Sequence, residues 1–371
     1  MSVLHLISGR GPTGAAAAAI NDIVALRAAG IRACAGCRKD APHIADALRN
    51  ASVPDADIFA RFKFARGALG MLTALRDAAV LARIVRDEAV ETVHVHRAGE
   101  QWLAYVASQG TVSMPLIRTW HRDPRGESYP VLHTLARHTA GCVCVSRDHE
   151  RALLGAGAPR ARFIQGAVDT DFFRPRANRC EGGAPVIGQA ARWKRDKGRD
   201  RGQRFTLEIF SKLSPVYNWR GQLVGRGELE NELTRRAFDE LRLPRERVSL
   251  LSTQGKSPAD FAALLNAFDI GLVFAIGSDG TSRPALELLA SGVPLLVADV
   301  AGLRELADDP ACALIGPGND AAAWARTLEE LLADPPRLNA MQQAARARAE
   351  SVHALKIRGE ALAAFYRDCA Q

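Results

Sequence analysis

The sequence predicts an α/β protein built from two doubly wound, Rossmann-like domains that face each other across a cleft. Its 371 residues exceed the roughly 250–300 that one hydrophobic core usually supports. Short apolar strands alternate with helical segments, the pattern of parallel sheets covered by helices on both faces. This alternation stops in a polar segment at residues 174–185 and then restarts, which indicates a second domain.

The first half begins with an apolar strand at residues 3–7, a glycine turn at 9–14 and an alanine-rich helix that Gly30 ends. Further strands are predicted at 92–96, 115–118 and 141–145. Between them, a helix is predicted from apolar residues at three-and-four spacing: Leu72, Leu75, Ala79 and Ala82.

The second half repeats the alternation. Its strands are predicted at residues 186–187, 222–224, 248–251, 270–274 and 294–298, and helices separate them or follow them. Parallel sheets of this kind bind ligands beyond the carboxyl ends of their strands. The loops at those ends are therefore the places to look for chemistry.

Charge and composition limit the classes of function. The net charge is +8, and the excess lies in the first half: residues 1–175 hold 22 basic and 16 acidic side chains, the remainder 27 and 25. A basic half indicates an anionic partner. The basic charge is the only feature that favours a nucleic-acid-binding protein, and the sequence contains no recognisable nucleic-acid-binding module. We therefore expect no nucleic-acid partner. With neither a secretion signal nor a long apolar run, the predicted location is cytoplasmic.

No metal site is expected. Cys34 and Cys37 have redox or zinc spacing but lack a second Cys or His pair, and the other five cysteines are scattered. Asp55-Ala-Asp57 lies far upstream among irregular polar residues.

Three loops carry candidate binding residues. Gly9–Gly14 is formally G-x-G-x-x-G, which suits a phosphate at a helix amino terminus. The carboxylate of the dinucleotide fingerprint is missing, although Arg38 and Lys39 leave an NADP-dependent oxidoreductase open. A tight turn without a ligand is the other alternative.

The second loop holds Arg192 and Lys197, within seven basic residues that end at Arg204. A phosphate-binding loop and a solvated basic loop both fit this pattern. The third loop has Asp279 eight residues before Glu287, and Gly280 and Thr281 offer free amides ahead of a helix. The apolar neighbours of Glu287 argue against an ordinary surface carboxylate.

These loops resemble glycosyltransferase family 4, a group of retaining enzymes with the two-domain GT-B fold. Arg192, Lys197 and Gly198 match its G-R-L-x-x-x-K-G loop, and Asp279 to Glu287 matches its E-x7-E pair. Five more segments resemble family motifs in the same order: Gly166–Pro175, Leu223–Glu228, Gly292–Pro294, Ala301–Glu305 and Leu314–Gly318.

The resemblance implies a role for each residue. Arg192, Lys197 and Gly14 would contact the diphosphate of a nucleotide sugar, and Glu287 its ribose. Asp279 would contact the transferred sugar, with amides from Gly280 and Thr281. In Arg118–His121, which resembles the family's T-x-H, His121 would lie near the sugar.

The function so implied is metal-independent, retaining transfer of a sugar from a nucleotide diphosphate sugar to an acceptor hydroxyl, without a cofactor. Its setting would be lipopolysaccharide or another surface glycan, with a glycan or lipid-linked acceptor. A nucleotide-sugar epimerase on the same fold is the main alternative.

The expected domains are residues 1–175 on the acceptor side, a linker at 176–184 and a donor domain at 185–350. As in many proteins of this fold, residues 351–371 are expected to form a helix that returns to the first domain. A basic aromatic segment would contact the cytoplasmic face of an anionic inner membrane, through Phe59, Arg61, Phe62, Lys63, Phe64 and Arg66. An acceptor-side loop with its phenylalanines packed inward is the alternative for that segment.

Overall fold

The computed structural model describes residues 1–11, 14–54, 58–62, 68–108, 115–176, 183–195, 200–274 and 282–371. These residues form two compact units. The first holds Met1–Ala167 and Ala354–Gln371, and the second holds the described residues between Val168 and His353.

In the first unit, the described strands form one parallel sheet of seven in the order β3-β2-β1-β4-β5-β6-β7. They are β1 (Ser2–Ile7), β2 (Arg32–Arg38), β3 (Ile58–Phe62), β4 (Thr92–Val95), β5 (Leu116–Trp120), β6 (Gly141–Cys144) and β7 (Ala161–Phe163). The order reverses between β1 and β4, and such a reversal opens a crevice at the carboxyl ends of the two strands.

Helices connect these strands, as expected for parallel neighbours. They are α1 (Ala15–Ala28), α2 (Pro42–Asn50), α3 (Ala68–Asp87), α4 (Ala98–Ser108), α5 (Tyr129–Arg137) and α6 (Arg147–Gly155).

The second unit repeats the arrangement with six described strands in the order β10-β9-β8-β11-β12-β13. They are β8 (Val186–Ala190), β9 (Arg220–Gly225), β10 (Val248–Ser252), β11 (Ile270–Val273), β12 (Leu295–Val297) and β13 (Ala313–Ile315). Its helices are α7 (Gln203–Lys212), α8 (Glu230–Arg235), α9 (Pro258–Asn266), α10 (Arg283–Ala290), α11 (Ala321–Leu332) and α12 (Pro335–Val352). Here the reversal lies between β8 and β11.

The last helix, α13 (Leu355–Ala370), packs on α1 in the first unit. The two helices approach closely because Gly359 has no side chain: a Cβ there would lie 2.0 Å from the carbonyl oxygen of Ala25. A buried ion pair joins them, with Arg358 Nε donating to Asp22 Oδ1 at 2.6 Å. Arg358 also donates to the carbonyl oxygen of Ile164, just beyond β7.

The division between the units falls earlier than the predicted end of the first domain at residue 175. Val168 already belongs to the second unit, where its N–H donates to the carbonyl oxygen of His353. Arg346 of α12 donates to the carbonyl oxygens of Thr170 and Phe173 and so holds the next residues to the same unit. Of the predicted linker, residues 177–182 lie outside the described part of the chain.

The predicted face of α3 is wrong, although the helix is present. Leu72 and Leu75 are 71% and 54% exposed, whereas Ala78, Leu81 and Val85 are buried against the sheet. Alanine and leucine are so frequent along this helix that an apolar series can be drawn on more than one face. The series that the sequence analysis selected is the solvent-facing one.

The Cys34–Cys37 spacing has a structural explanation. Both residues lie in β2, three positions apart, so their side chains point to opposite faces of the sheet. Cys34 packs with Leu4 and Cys37 with Ile44 in separate apolar clusters. The pair therefore cannot hold one ligand between them.

Among the described residues, no helix has the length and apolarity needed to cross a bilayer.

Candidate functional site

The loop after β1 leads into α1 through a glycine with left-handed backbone geometry. Gly14 precedes the helix with a φ of 58°, which residues with a side chain rarely adopt. Among the described residues no side chain caps this end, so the first amides of the 14-residue helix are suited to a bound anion. Gly14 thus has the geometry that a phosphate-facing role requires.

A buried carboxylate, Glu100 in the first turn of α4, joins this loop to the one after β4. Its Oε1 accepts from both the N–H and the hydroxyl of Ser8 at 2.6 Å. Its Oε2 accepts from the N–H groups of His96 and Arg97 at 2.7 and 2.9 Å. Burial still raises the pKa of Glu100. The two loops at the sheet's reversal point are therefore fixed to each other.

Buried histidines form a chain that ends at His121, directly after β5. His5 Nδ1 lies 3.1 Å from His96 Nε2, and His96 Nδ1 lies 3.0 Å from His121 Nε2. A neutral imidazole carries one N–H, so His96 donates at one nitrogen and accepts at the other. The tautomer of His121 is therefore coupled to that of His5, which lies in the core.

Desolvation disfavours the charged forms of His5, His94 and His96. It lowers the pKa of His5 to about 4 and the pKa values of His94 and His96 well below the usual 6.5. His5, His94 and His96 also have nitrogens close enough to hold a metal. Both His94 nitrogens already face hydroxyls, however, at 2.6 Å from Tyr366 and 2.7 Å from Thr119. The cluster is best described as a hydrogen-bonded network.

In the second unit, the loop after β8 presents Arg192 to solvent and is anchored by its neighbour Trp193, which is 1% exposed. The backbone N–H of Trp193 donates to the carbonyl oxygen of Arg226, and a Cβ on Gly227 would lie 2.3 Å from the Trp193 carbonyl oxygen. Gln203 Nε2 donates to the carbonyl oxygen of Arg192 at 2.8 Å. The backbone of the loop is thus fixed while the Arg192 guanidinium remains accessible.

Glu287 lies in α10, the helix that follows β11. It is 8% exposed and surrounded by the apolar residues of the helix's buried face, and burial raises its pKa. Its ion-pair partner among the described residues is Arg283, at 3.9 Å, which is longer than a hydrogen bond. A buried carboxylate with so distant a partner is suited to accept hydrogen bonds from a ligand.

A cavity of about 520 Å³ lies at the carboxyl ends of the strands of the second sheet. Phe274 after β11, Ala298 after β12 and Gly318 after β13 line it, together with Arg201 and Arg204 near the start of α7. Pockets of this size hold small organic ligands.

Several predicted site residues lie outside the described residues: Lys197, Asp279, Gly280 and Thr281. Asp55–Asp57 and residues 63–66 of the basic aromatic segment also lie outside them. The backbone of residues 58–62 forms β3 and pairs with β2.

The fold brings the described candidates together within each unit. Arg192 and Glu287 follow β8 and β11, which are parallel neighbours. Both therefore lie on the side of the second sheet where the strands have their carboxyl ends. His121 is joined to β1 and β4 through the histidine chain, on the side of the first sheet where Gly14 precedes α1.

Sequence reasoning missed Glu100 and the histidine chain. For the chain a signal was present, since two histidines alternate with valines at 93–96 and therefore share one face of a strand. For Glu100, the only available signal was its position in the first turn of a helix.

Known proteins resemble the chain in part of its sequence and in its fold. Residues 184–334 match the family described as "Glycosyl transferases group 1". A curated relative, D-inositol 3-phosphate glycosyltransferase of Nocardia farcinica, is 32% identical over 200 residues. That alignment spans 51% of this chain and only 43% of the relative's length.

Solved structures resemble the chain over nearly its full length. A glycosyltransferase from Rickettsia africae superimposes with a TM-score of 0.80 at 17% identity, covering 100% of this chain and 98% of its own. HepE from Anabaena, solved in complex with UDP, gives 0.79 at 18% identity, covering 99% and 100%. The chain therefore has the GT-B fold.

Proposed function

We propose that the protein is a retaining glycosyltransferase that moves a sugar from a nucleotide diphosphate sugar to an acceptor hydroxyl. The observation that carries this proposal is Glu287. It is a buried carboxylate with a raised pKa and a distant partner, at the ligand-binding edge of the sheet and inside the region that matches the glycosyltransferase family.

In this proposal the donor nucleotide binds to the second unit. Glu287 accepts hydrogen bonds from the ribose hydroxyls, and the cavity lined by Phe274 and Arg201 takes the nucleobase. The cavity is large enough for a base and has aromatic walls, with the Phe205 and Phe274 ring centroids 5.4 Å apart. UDP is the first nucleotide to test, because HepE is solved in complex with it.

Arg192 and Lys197 would bind the diphosphate and stabilise the charge that develops when the sugar–phosphate bond breaks. A charge-assisted hydrogen bond contributes about 1.5–3 kcal/mol, or roughly 10- to 100-fold in rate if it forms only in the transition state. These cations, together with the amides at Gly280 and Thr281, supply the stabilisation in the proposed reaction, which uses neither a metal nor a cofactor. Asp279 contacts the sugar or acts as the nucleophile.

From the first unit, we propose Gly14, at the amino terminus of α1, as a contact for the diphosphate and His121 as a contact for the sugar. The contact with His96 orients the His121 ring and couples its tautomer to that of His96, which supports a role for this ring in contacting the sugar. The biological setting we propose is surface-glycan synthesis at the cytoplasmic face of the inner membrane. The membrane contact through Phe59–Arg66 remains part of that proposal.

The proposal is tested first by binding. Thermal unfolding is measured with a panel of nucleotide diphosphate sugars and with the matching nucleoside monophosphates. A donor that binds only the folded protein raises its melting temperature, by an amount that grows with concentration. If no nucleotide sugar shifts the transition, the proposed donor site is wrong.

Product analysis then separates transfer from epimerisation. The stabilising donor is incubated with and without acceptor, and NMR of the sugar identifies its linkage and anomeric configuration. Transfer with retention is the expected result. Interconversion of donor epimers without an acceptor would instead identify a nucleotide-sugar epimerase.

A further inference from the structure

One face of the first sheet carries a buried layer of polar side chains. Val3 and Ile7 of β1 pack with α1 and α13 in one apolar cluster, and His5 shares their face because alternate side chains of a strand do so. The rings of His94 and His96 on β4 lie beside that of His5, with centroids 4.6 and 5.4 Å away. The histidines therefore lie between the sheet and the two helices.

The helices that cover this face add charged and polar groups to the layer. Arg358 of α13 donates to Asp22 Oδ1 of α1, and the Tyr366 hydroxyl of α13 lies 2.6 Å from His94 Nδ1. Burial lowers the pKa of His5, the Asp22 carboxylate opposes that shift, and the Arg358 guanidinium adds to it with a smaller effect than the carboxylate. Asp22 is thus the charge with the strongest influence on His5.

Two buried atoms of this layer have no hydrogen-bond partner among the described residues: His5 Nε2 and Asp22 Oδ2. His5 Nδ1 faces His96, so Nε2 is the ring nitrogen that remains. A carboxylate can only accept hydrogen bonds. A lone pair on His5 Nε2 would give the layer two buried acceptors and a donor for neither, whereas a proton there is stabilised by the negative charge of Asp22. Electrostatics therefore favours the proton on His5 Nε2.

This proton sets the direction of the hydrogen bonds along the chain of histidines. Neutral His5 with a proton on Nε2 has a lone pair on Nδ1, which accepts from His96 Nε2 at 3.1 Å. His96 then has its lone pair on Nδ1, which accepts from His121 Nε2 at 3.0 Å. Neutral His121 thus carries its one proton on Nε2, and its Nδ1 can only accept a hydrogen bond.

His94 lies within the layer but outside this chain. Its ring stacks on that of His96 with centroids 4.6 Å apart, while its own nitrogens face the hydroxyls of Tyr366 and Thr119. A hydroxyl either donates or accepts, so His94 imposes no direction on the other histidines. It is also as deeply buried as His96, at 0% against 5% exposed. His94 therefore offers a matched control.

We propose that His5 and His96 are positioning residues for His121: they hold its proton on Nε2, so that Nδ1 accepts a hydrogen bond from a hydroxyl of the transferred sugar. The inference rests on the proposed glycosyl transfer, in which His121 contacts the sugar. It adds the direction of that hydrogen bond and the residues that set it. His96 is itself fixed, since its N–H donates to the buried carboxylate of Glu100.

The tautomer is measured directly by ¹⁵N NMR of the full chain labelled at its nine histidines. The spectrum is recorded at pH 8, where neutral imidazole dominates, and the signals missing from His121→Gln identify His121. The expected result is one species with a protonated Nε2 and an unprotonated Nδ1. A proton on Nδ1, or a mixture of both tautomers, in the wild-type protein would overturn the proposal without any need for a variant of the chain.

Variants test which residues set the tautomer. His96→Asn places an amide near the position of Nδ1 but cannot reach His5, and His5→Asn offers His96 an amide that can donate or accept. Each should convert His121 to a mixture of tautomers. His94→Asn removes a ring from the same buried layer and should leave the His121 tautomer unchanged. A single tautomer in both chain variants, or an equal change in His94→Asn, would overturn the assignment.

Kinetics separates this inference from the proposed function. UDP affinity should be equal in wild type, His96→Asn and His94→Asn. Turnover of the nucleotide sugar selected by thermal unfolding should fall about five- to tenfold in kcat in His96→Asn, as for loss of one hydrogen bond, and stay near wild type in His94→Asn. Equal kcat in all three proteins would overturn the positioning role and leave the transfer proposal standing. A wild type with the expected tautomer that transfers no sugar would overturn the proposed function alone.

Discussion

The two sheets share one order over six strands, and the first sheet has a seventh at its edge, but their central strands carry different side chains. In the first sheet, His5 on β1 lies in register with His94 on β4, and the ring of His96 stacks on that of His94. In the second sheet, the equivalent β8 and β11 carry glycines, Gly188 and Gly271, which are covered by apolar side chains. Eight of the nine histidines lie in residues 1–167.

Two buried carboxylates, one in each unit, also differ in their surroundings. Glu100 in the first unit accepts four hydrogen bonds from its own chain, whereas the described partner of Glu287 in the second unit lies 3.9 Å away. A buried carboxylate that is fully hydrogen-bonded supports the fold, and one with a distant partner is suited to a ligand. Within the described residues, the same topology thus surrounds one buried carboxylate with hydrogen-bond donors and leaves the other with a distant ion-pair partner.

The largest expected effect comes from the buried ion pair of the first unit. Asp22→Ala leaves Arg358 buried without its carboxylate, which should destabilise this unit by about 3–5 kcal/mol. Urea unfolding followed by hydrogen exchange of peptides from β1 and β8 reports the two units separately. Asp368→Ala, which breaks the exposed pair with Arg162, is the control and should cost about 1 kcal/mol or less. Equal losses in the two variants would contradict the account.

The second-largest expected effect is a loss of stability of the first unit at acidic pH. The folded-state pKa of His5 is about 4, below its unfolded value of 6.5, so the unfolded chain binds the proton first. Stability from this group is complete above pH 6.5 and falls between pH 6.5 and 4, by about 3 kcal/mol. Exchange of β1 peptides during urea unfolding at pH 7 and pH 5 should show about 2 kcal/mol of this loss, because pH 5 still lies above the folded-state pKa.

Two variants check the source of this pH dependence. His5→Gln removes the titrating group and should reduce the loss, whereas the exposed His43→Asn should leave it unchanged. Wild-type stability that is equal at the two pH values would refute the role of the buried histidine.

In the second unit, adding one methyl group to a central strand should lower the stability of the unit. A Cβ at Gly188 would lie 2.3–2.4 Å from three atoms of the Phe268 ring, so Gly188→Ala should cost about 1–3 kcal/mol by overpacking. Exchange of β8 peptides in urea measures the effect. Phe268→Leu should cost less in the Gly188→Ala background than alone. Gly155→Ala, with nothing within 4 Å of its Cβ, is the control, and a similar cost there would contradict the packing explanation.

The smallest expected effect distinguishes the two carboxylates. Burial raises the pKa of Glu287, so the wild-type protein loses stability as the pH rises from 4.5 to the folded-state value. Glu287→Gln should therefore be at least as stable as wild type at pH 7. It should bind UDP about fivefold more weakly, because a charged hydrogen bond is replaced by a neutral one worth about 1 kcal/mol less.

Glu100→Gln is the matched change in the first unit. It should destabilise the protein, because an amide nitrogen would face N–H donors, and leave UDP affinity unchanged. Weaker UDP binding in Glu100→Gln but not in Glu287→Gln would reverse the assignment.

The alternation of strands and helices was predictable because each element is amphipathic or apolar over a short stretch. The apolar neighbours of Glu287 also indicated its burial, since a helix with residues such as Leu286 and Leu288 on either side must be covered. The exposed face of α3 was not predictable from periodicity, because Leu72 and Leu81 look alike in sequence.

The remaining features depend on long-range register. His5 contacts His96 only because β1 pairs with β4. The two histidines are 91 residues apart in the sequence. Asp22 and Arg358 are separated by 336 residues. Such pairs have no local signature in the sequence.

The central claim is a donor diphosphate site in the second unit. Its most direct test measures how much more tightly UDP binds than UMP, in wild type, in Arg192→Ala, in Lys197→Ala and in the double variant. The account predicts that wild type binds UDP at least about tenfold more tightly than UMP, and that this preference falls in each variant and disappears in the folded double variant. A double variant that keeps the full wild-type preference would contradict it.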